Sequence, residues 1–207
     1  MKSMSRHPIA KAVSALHRGE IIAYPTETVF GLGVDPFHDG ALAGLLALKG
    51  REASKGVIIL VGSRRQLADL ILPPSRLAQE VMDRFWPGPL TLVLPALPGL
   101  SPLLTGGGDH LAVRLSSAPR VAALLRAWGR PLVSTSANPS GGEPARDAAT
   151  VQHMWPRGVA AVVPGRCAPT SLPSTVVRVD ERGITLLRPG AVPHTQVEAV
   201  LESFSFP

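Results

Sequence analysis

Apolar residues recur along this chain at two spacings, and the alternation between the two predicts its elements. Ile9, Val13 and Leu16 fall at helical spacing behind Pro8, which suits a first helical turn, and Gly19 suits a stop, so residues 8–18 are predicted helical. The short apolar run 21–24 ends at Pro25 and reads as a buried strand emptying into a polar loop, 25–33. Asp39 can cap a helix over 39–48, with Leu42, Leu45, Leu46 and Leu48 on its apolar face and Gly50 as terminator. Residues 57–61 form a second buried run. Helices around 66–71 and over 76–85, separated by Pro73 and Pro74, lead through the rigid turn 86–89 to a strand at 90–94. A strand at 111–115, a helix at 120–128 and a strand at 132–134 follow, then a helix near 148–155 and a strand at 159–163. Two last strands, 175–179 and 184–188, flank the turn 180–183 and form a hairpin, and 195–207 holds a short helix. The expected fold class is α/β, with a twisted sheet that the hairpin makes mixed rather than purely parallel.

Length adds one constraint. The 207 residues suit one domain, with a core over about 8–192 and a tail at 193–207. With 45% hydrophobic and 17% charged residues the chain is an ordinary globular sequence, neither disordered nor a coiled coil. A net charge of +6 favours polyanionic partners such as ATP or RNA, although such a charge is as often only a solubility feature. Its one cysteine, Cys167, has no partner for a disulfide and no neighbours at zinc-ligand spacing, which points to a reducing compartment. No apolar run resembles a secretion signal or a membrane span, so the expectation is cytoplasmic, without membrane contact.

Polar loops directly after apolar strands are where open α/β sheets place ligands, and four stretches fit that position. Thr26-Glu27-Thr28 offers hydroxyls beside Gly31 and Gly33, although a capped turn looks the same. Lys49, Arg51 and Lys55 put three cations in a turn containing Gly50 and Gly56, suited to phosphate or, equally, to a solvated helix end. Ser134-Thr135-Ser136-Ala137-Asn138 offers small donors that let a nucleotide approach the backbone, as would a plain turn. Arg114 and Arg188 stand in otherwise apolar strands, where each needs an internal carboxylate, a substrate carboxylate or a phosphate; Ser174 precedes a strand in the same way.

Standard motifs are missing. There is no P-loop, no G-x-G-x-x-G, no G-x-S-x-G and no H-E-x-x-H, and the six histidines are dispersed, so no metal held by protein side chains is expected.

Taken in order, residues 25–33 (Pro-Thr-Glu-Thr-Val-Phe-Gly-Leu-Gly), Lys49-x-Arg51, 112–114 (Ala-Val-Arg), 134–138 (Ser-Thr-Ser-Ala-Asn), 173–177 (Pro-Ser-Thr-Val-Val) and 188–190 (Arg-Pro-Gly) resemble the YrdC/TsaC family of threonylcarbamoyl-AMP synthases. The likeness runs from about Pro8 to Val192 and is to the short, single-domain bacterial form. It implies a twisted mixed sheet with flanking helices around a basic concave cavity. It also implies a reaction in which L-threonine, bicarbonate and ATP with Mg2+ give threonylcarbamoyl-AMP and pyrophosphate. Partner proteins would carry the product to position 37 of tRNA, and contact with double-stranded RNA is possible for such a basic domain. By motif position the resemblance assigns Thr28, Arg114, Ser134 and Ser174 to threonine, and Arg51, Lys55, Ser136 and Arg188 to ATP. Lys49 and Asn138 complete the Lys-x-Arg and Ser-x-Asn sets and join Arg51 and Ser136 as the catalytic group. The sequence departs from the family at Glu52, where proline is usual, and at Leu60, where longer members have histidine. The other readings are a double-stranded RNA or tRNA-binding module and a YrdC-like paralogue with another carbamoyl-transfer reaction.

Overall fold

Nine strands hydrogen-bond into one sheet in the order β7-β1-β2-β6-β3-β5-β4-β8-β9 in the computed structural model, which describes residues 7–168, 170–181 and 183–203. The strands are β1 (Ile22–Tyr24), β2 (Gly31–Gly33), β3 (Ile58–Leu60), β4 (Leu90–Pro95), β5 (His110–Arg114), β6 (Leu132–Ser136), β7 (Ala161–Val162), β8 (Thr175–Asp180) and β9 (Gly183–Arg188). Pairs β1–β7, β3–β5 and β4–β8 are parallel and the other five antiparallel, so the sheet is mixed as the hairpin predicts. The helices are α1 (Pro8–His17), α2 (Asp39–Lys49), α3 (Arg76–Phe85), α4 (Pro102–Thr105), α5 (Pro119–Trp128), α6 (Ala148–Met154) and α7 (His194–Ser203). Residues 1–6, Arg182 in the predicted 180–183 turn, and the last four residues of the predicted terminal helix lie outside the described residues. No helix among the described residues is long and apolar enough to cross a membrane.

Alternation along the strands divides the core. Ile22, Tyr24, Leu60 and Leu132 pack with α1 and α5, while Ala23, Ile59 and Val133 between them face the larger cluster, which includes residues of α2, α3 and α7. The second face stays buried across the sheet, through Leu111 and Val113 of β5, Leu90 and Leu92 of β4 and Val177 of β8. The first is covered only where α1 and α5 lie.

Three elements differ from the sequence pattern, each for a physical reason. Strand β2 occupies part of what reads as a loop; Gly31 and Gly33 have poor strand propensity, but the buried Tyr24 ring fills the space beside them. A Cβ at Gly33 would stand 2.6 Å from the Val133 carbonyl oxygen and 2.9 Å from that ring. At α2 the cap is His38, whose Nδ1 accepts the Ala41 N–H at 3.0 Å, and Asp39 is the first helical residue. The predicted helix at 66–71 is a tighter 3-10 turn at Arg64–Asp69, ahead of Pro73 and Pro74. A second such turn, Ala53–Lys55, and the four-residue α4 break no periodic run and left no sequence signal.

Candidate active site

Past Leu60 and Leu132 the helical cover ends, and the same face of β3 and β6 continues with Ile58, Ser134 and Ser136. With Ala112 and Arg114 of β5, Val93 of β4 and Val176 of β8, these residues floor a cavity of about 470 Å³. That volume is in the usual range for a small-molecule site.

Four cations from three separate stretches reach this cavity. Gly50, at φ 59°, ends α2 in the left-handed conformation that glycine adopts without strain. Arg51 follows at once, and its guanidinium folds back on its own loop, donating from Nη2 to the Lys55 and Gly56 carbonyls at 2.9 Å each. Lys55 sits on the rim, where its ammonium pairs with the exposed Glu52 carboxylate at 3.2 Å. Arg188, at the end of β9, donates from Nη2 to the Ser174 carbonyl at 2.8 Å and to Ser174 Oγ at 3.0 Å. Arg114 is 4% exposed; its Nη1 lies 4.0 Å from Glu27 Oε1, and its buried Nε has no hydrogen-bond partner. The internal carboxylate that a strand arginine requires is therefore Glu27, though it is not in hydrogen-bonding reach.

The cations feel one another. Burial lowers the Arg188 guanidinium from its usual range, and the charges of Arg114 and then Arg51 lower it further. Burial also lowers Arg51. With Arg188 repelled by both Arg114 and Arg51, the hollow is a site whose electrostatic energy falls when an anion enters. Asp109, beside His110 at a ring-to-carboxylate distance of 2.6 Å, is the carboxylate among the residues bordering the cavity.

Small hydroxyls complete the wall. Thr26 Oγ1 accepts the Thr28 N–H at 3.0 Å and donates to the Val29 carbonyl at 2.7 Å, a local turn that presents Thr28 to the cavity. Thr91 Oγ1 donates to Ser174 Oγ at 2.9 Å, so this serine is held by both Thr91 and Arg188. Behind Ser134 lies Tyr24, wholly buried, whose phenol burial keeps protonated far above its ordinary range.

Eight of the ten residues singled out from the sequence line this one cavity: Thr28, Arg51, Lys55, Arg114, Ser134, Ser136, Ser174 and Arg188. Lys49 and Asn138 lie behind the wall. Lys49 is 3% exposed, and its Nζ donates to the carbonyls of Ser136 and Asn138 at 2.5 Å each. Its own carbonyl accepts the Ser140 N–H at 2.8 Å. Burial, then the nearby Arg51 charge, lowers the Lys49 ammonium to about 8. Asn138 Nδ2 donates to the Pro139 and Gly142 carbonyls at 2.7 and 2.9 Å, closing the turn after β6. Both residues act on the end of β6 and the turn that follows Ser136. Sequence reasoning passed over Thr91, Ser116, Asp109 and His110; the long-range hydrogen bonds of Thr91 and Ser116 have no signature in local spacing.

Among the described residues no group of three or more His, Cys, Asp or Glu is placed to hold a metal ion.

A family model of Sua5, YciO and YrdC proteins, described as "Telomere recombination", matches residues 14–190. A threonylcarbamoyl-AMP synthase of Halorhodospira halophila is 43% identical over 180 residues, covering 87% of this chain and 94% of that protein. The enzyme of the same name from Bacillus subtilis is 38% identical over 194 residues, 93% of this chain but 56% of its own length. Among solved structures, P. abyssi Sua5 complexed with L-threonine superimposes with a TM-score of 0.88 at 34% identity. That match covers 93% of this chain and 57% of the other, so the chain spans a little over half the length of these two longer relatives.

Proposed function

Because the chain belongs to the Sua5/YciO/YrdC family, we propose that it is a threonylcarbamoyl-AMP synthase, converting L-threonine, bicarbonate and ATP to threonylcarbamoyl-AMP and pyrophosphate. The observation that carries this reading is the convergence of Arg51, Lys55, Arg114 and Arg188 on one cavity walled by hydroxyls. Two anionic reactants must meet in this reaction, and a hollow of mutually repelling cations lowers the cost of bringing them together.

In this reading Arg114 receives the threonine carboxylate, with Thr28, Ser134 and Ser174 around the rest of the amino acid. Arg51, Lys55 and Arg188 hold the nucleotide phosphates, and the Ser136 loop, fastened from behind by Lys49 and Asn138, lets the nucleotide come close to the backbone. The threonine nitrogen forms a bond to the bicarbonate carbon and one bicarbonate oxygen leaves as water, giving a carbamate; a carbamate oxygen then forms a bond to the α-phosphorus, and the bond from that phosphorus to the bridging oxygen breaks. The electron pair leaves with pyrophosphate, whose charge the same cations neutralise. No protein nucleophile is needed; positioning and fixed charge supply the barrier reduction. Mg2+ would arrive on the ATP phosphates and would share in neutralising their charge. The product would pass to partner proteins that modify position 37 of tRNA, which places the enzyme in the cytoplasm.

A pyrophosphate-release assay with threonine, bicarbonate and ATP each omitted in turn tests the reading. Release that depends on all three is expected. Release without threonine, or none at all, would refute it.

A further inference from the structure

Glu27 lies just behind the cavity wall, 16% exposed at its side chain, and is held by groups other than Arg114. Ser116 Oγ donates to Oε2 at 2.5 Å, and the Ser117 backbone N–H donates to Oε1 at 3.4 Å. Ser116 Oγ in turn accepts the Ala118 N–H at 3.2 Å, so the carboxylate is fastened to the segment leading into α5, where the helix dipole also favours an anion. Arg114 has the opposite arrangement. It is buried and faces the positive charge of Arg188, yet it has an unpartnered Nε and only a 4.0 Å approach to the carboxylate.

A buried guanidinium needs a negative charge nearby, but one whose donors were all taken by that charge could not grip a substrate. Glu27 meets both demands at once, because its hydrogen-bonding capacity is directed to Ser116 and Ser117 while its charge still reaches Arg114. We propose that Glu27 is a positioning residue, a fixed counter-charge that keeps Arg114 buried in the empty site while leaving its donors free for the carboxylate of the amino-acid substrate. This rests on the reading of Arg114 as the carboxylate receiver.

Counter-charge and tie separate by substitution. Glu27→Gln removes the charge but keeps the tie, its amide oxygen accepting the Ser117 N–H while its NH2 donates to the Ser116 hydroxyl, which can act as acceptor; Glu27→Ala removes both charge and tie. With one negative charge gone, the threonine carboxylate meets less repulsion. The Glu27→Gln protein should therefore bind L-threonine roughly three- to tenfold more tightly by calorimetry, while its ligand-free melting temperature falls. Adding Arg114→Gln, which removes the uncompensated cation, should restore the melting temperature lost in Glu27→Gln. A purely structural role for Glu27 predicts neither the tighter binding nor the restoration.

Unchanged or weaker threonine binding in a folded Glu27→Gln protein would overturn the proposal, the weaker case meaning that Glu27 meets the ligand itself. If Glu27→Gln alone does not fold, the double variant decides: a folded Glu27→Gln/Arg114→Gln protein supports the counter-charge, and an unfolded one overturns it. A wild-type protein that binds no threonine would instead sink the reading of Arg114 beneath the proposal, and the proposal with it.

Discussion

Gly190 offers a sharp test of how finely the cavity depends on backbone packing. An added Cβ there would stand 2.3 Å from the Pro173 carbonyl oxygen and 2.5 Å from both the Ser174 carbonyl carbon and the Thr175 nitrogen. All three are backbone atoms, held in place because the Pro173 carbonyl accepts the Ala191 N–H at 2.9 Å and Thr175 N–H donates to Pro89. No side chain can swing aside. To bring the Cβ beyond 3.0 Å, the two segments must separate by about 0.7 Å, which carries Ser174 away from Arg188. Overpacking of this kind costs about 1–3 kcal/mol, or roughly 2–12 °C of melting temperature at about 2–4 °C per kcal/mol for a chain of this size. A displacement approaching 1 Å at reacting groups can cost about a hundredfold in rate. Gly190→Ala should therefore lower kcat/KM in pyrophosphate release by tens to a hundredfold and lower the melting temperature together. Gly44→Ala, on the exposed side of α2 with nothing within 4 Å of the new Cβ, is the matched control. It should raise stability by about 0.5–1 kcal/mol through helix propensity and leave turnover alone. A Gly190→Ala protein with wild-type stability and turnover would refute the reasoning.

Further outcomes follow from the charges. Arg114→Met should leave the ligand-free melting temperature within a few degrees, since about 4 kcal/mol of gross attraction to Glu27 at an effective dielectric of about 20 is offset by several kcal/mol of desolvation. The same change should weaken threonine binding by about thirtyfold or more in calorimetry, as expected when a buried charge partner is truncated. Arg51→Ala should depress ATP-dependent turnover at least tenfold while costing only about 0.5–1.5 kcal/mol of stability, because the carbonyls it leaves behind are open enough to take water; unchanged ATP affinity would show that the loop does not hold the nucleotide. Lys49, lowered to about 8 from 10.5, binds fewer protons folded than unfolded between those values, so its own contribution makes stability rise with pH there. Denaturant titrations should show wild type gaining on the order of 2 kcal/mol relative to Lys49→Met between pH 8 and 10; a constant difference across that window would mean that the buried amine keeps its ordinary affinity for protons.

The order of elements was legible because the apolar periodicities are strong where elements are long or fully buried: α3 and the β8–β9 hairpin lie close to where the pattern places them. Short elements escaped. Strand β2 depends on Tyr24 and Val133, more than a hundred positions apart in the chain, and α4 is one turn long. Similarly, the residue types of the cavity could be read after each strand, but Glu27 could not be distinguished from a turn residue, because its partners Ser116 and Ser117 are brought to it only by the pairing of distant strands.

The tether behind the cavity has a mechanical consequence. Lys49 clasps the Ser136 and Asn138 carbonyls with its side chain and Ser140 with its main chain, and Arg51 lies two residues beyond it. The end of α2 and the turn after β6 are thereby welded into one jaw, so the two loops assigned to the nucleotide shift together or not at all. The α4 turn belongs to that jaw as well, since the Leu104 carbonyl accepts the Val57 N–H at 3.0 Å, so whatever opening admits ATP has to come from the lip where the β8–β9 hairpin stands.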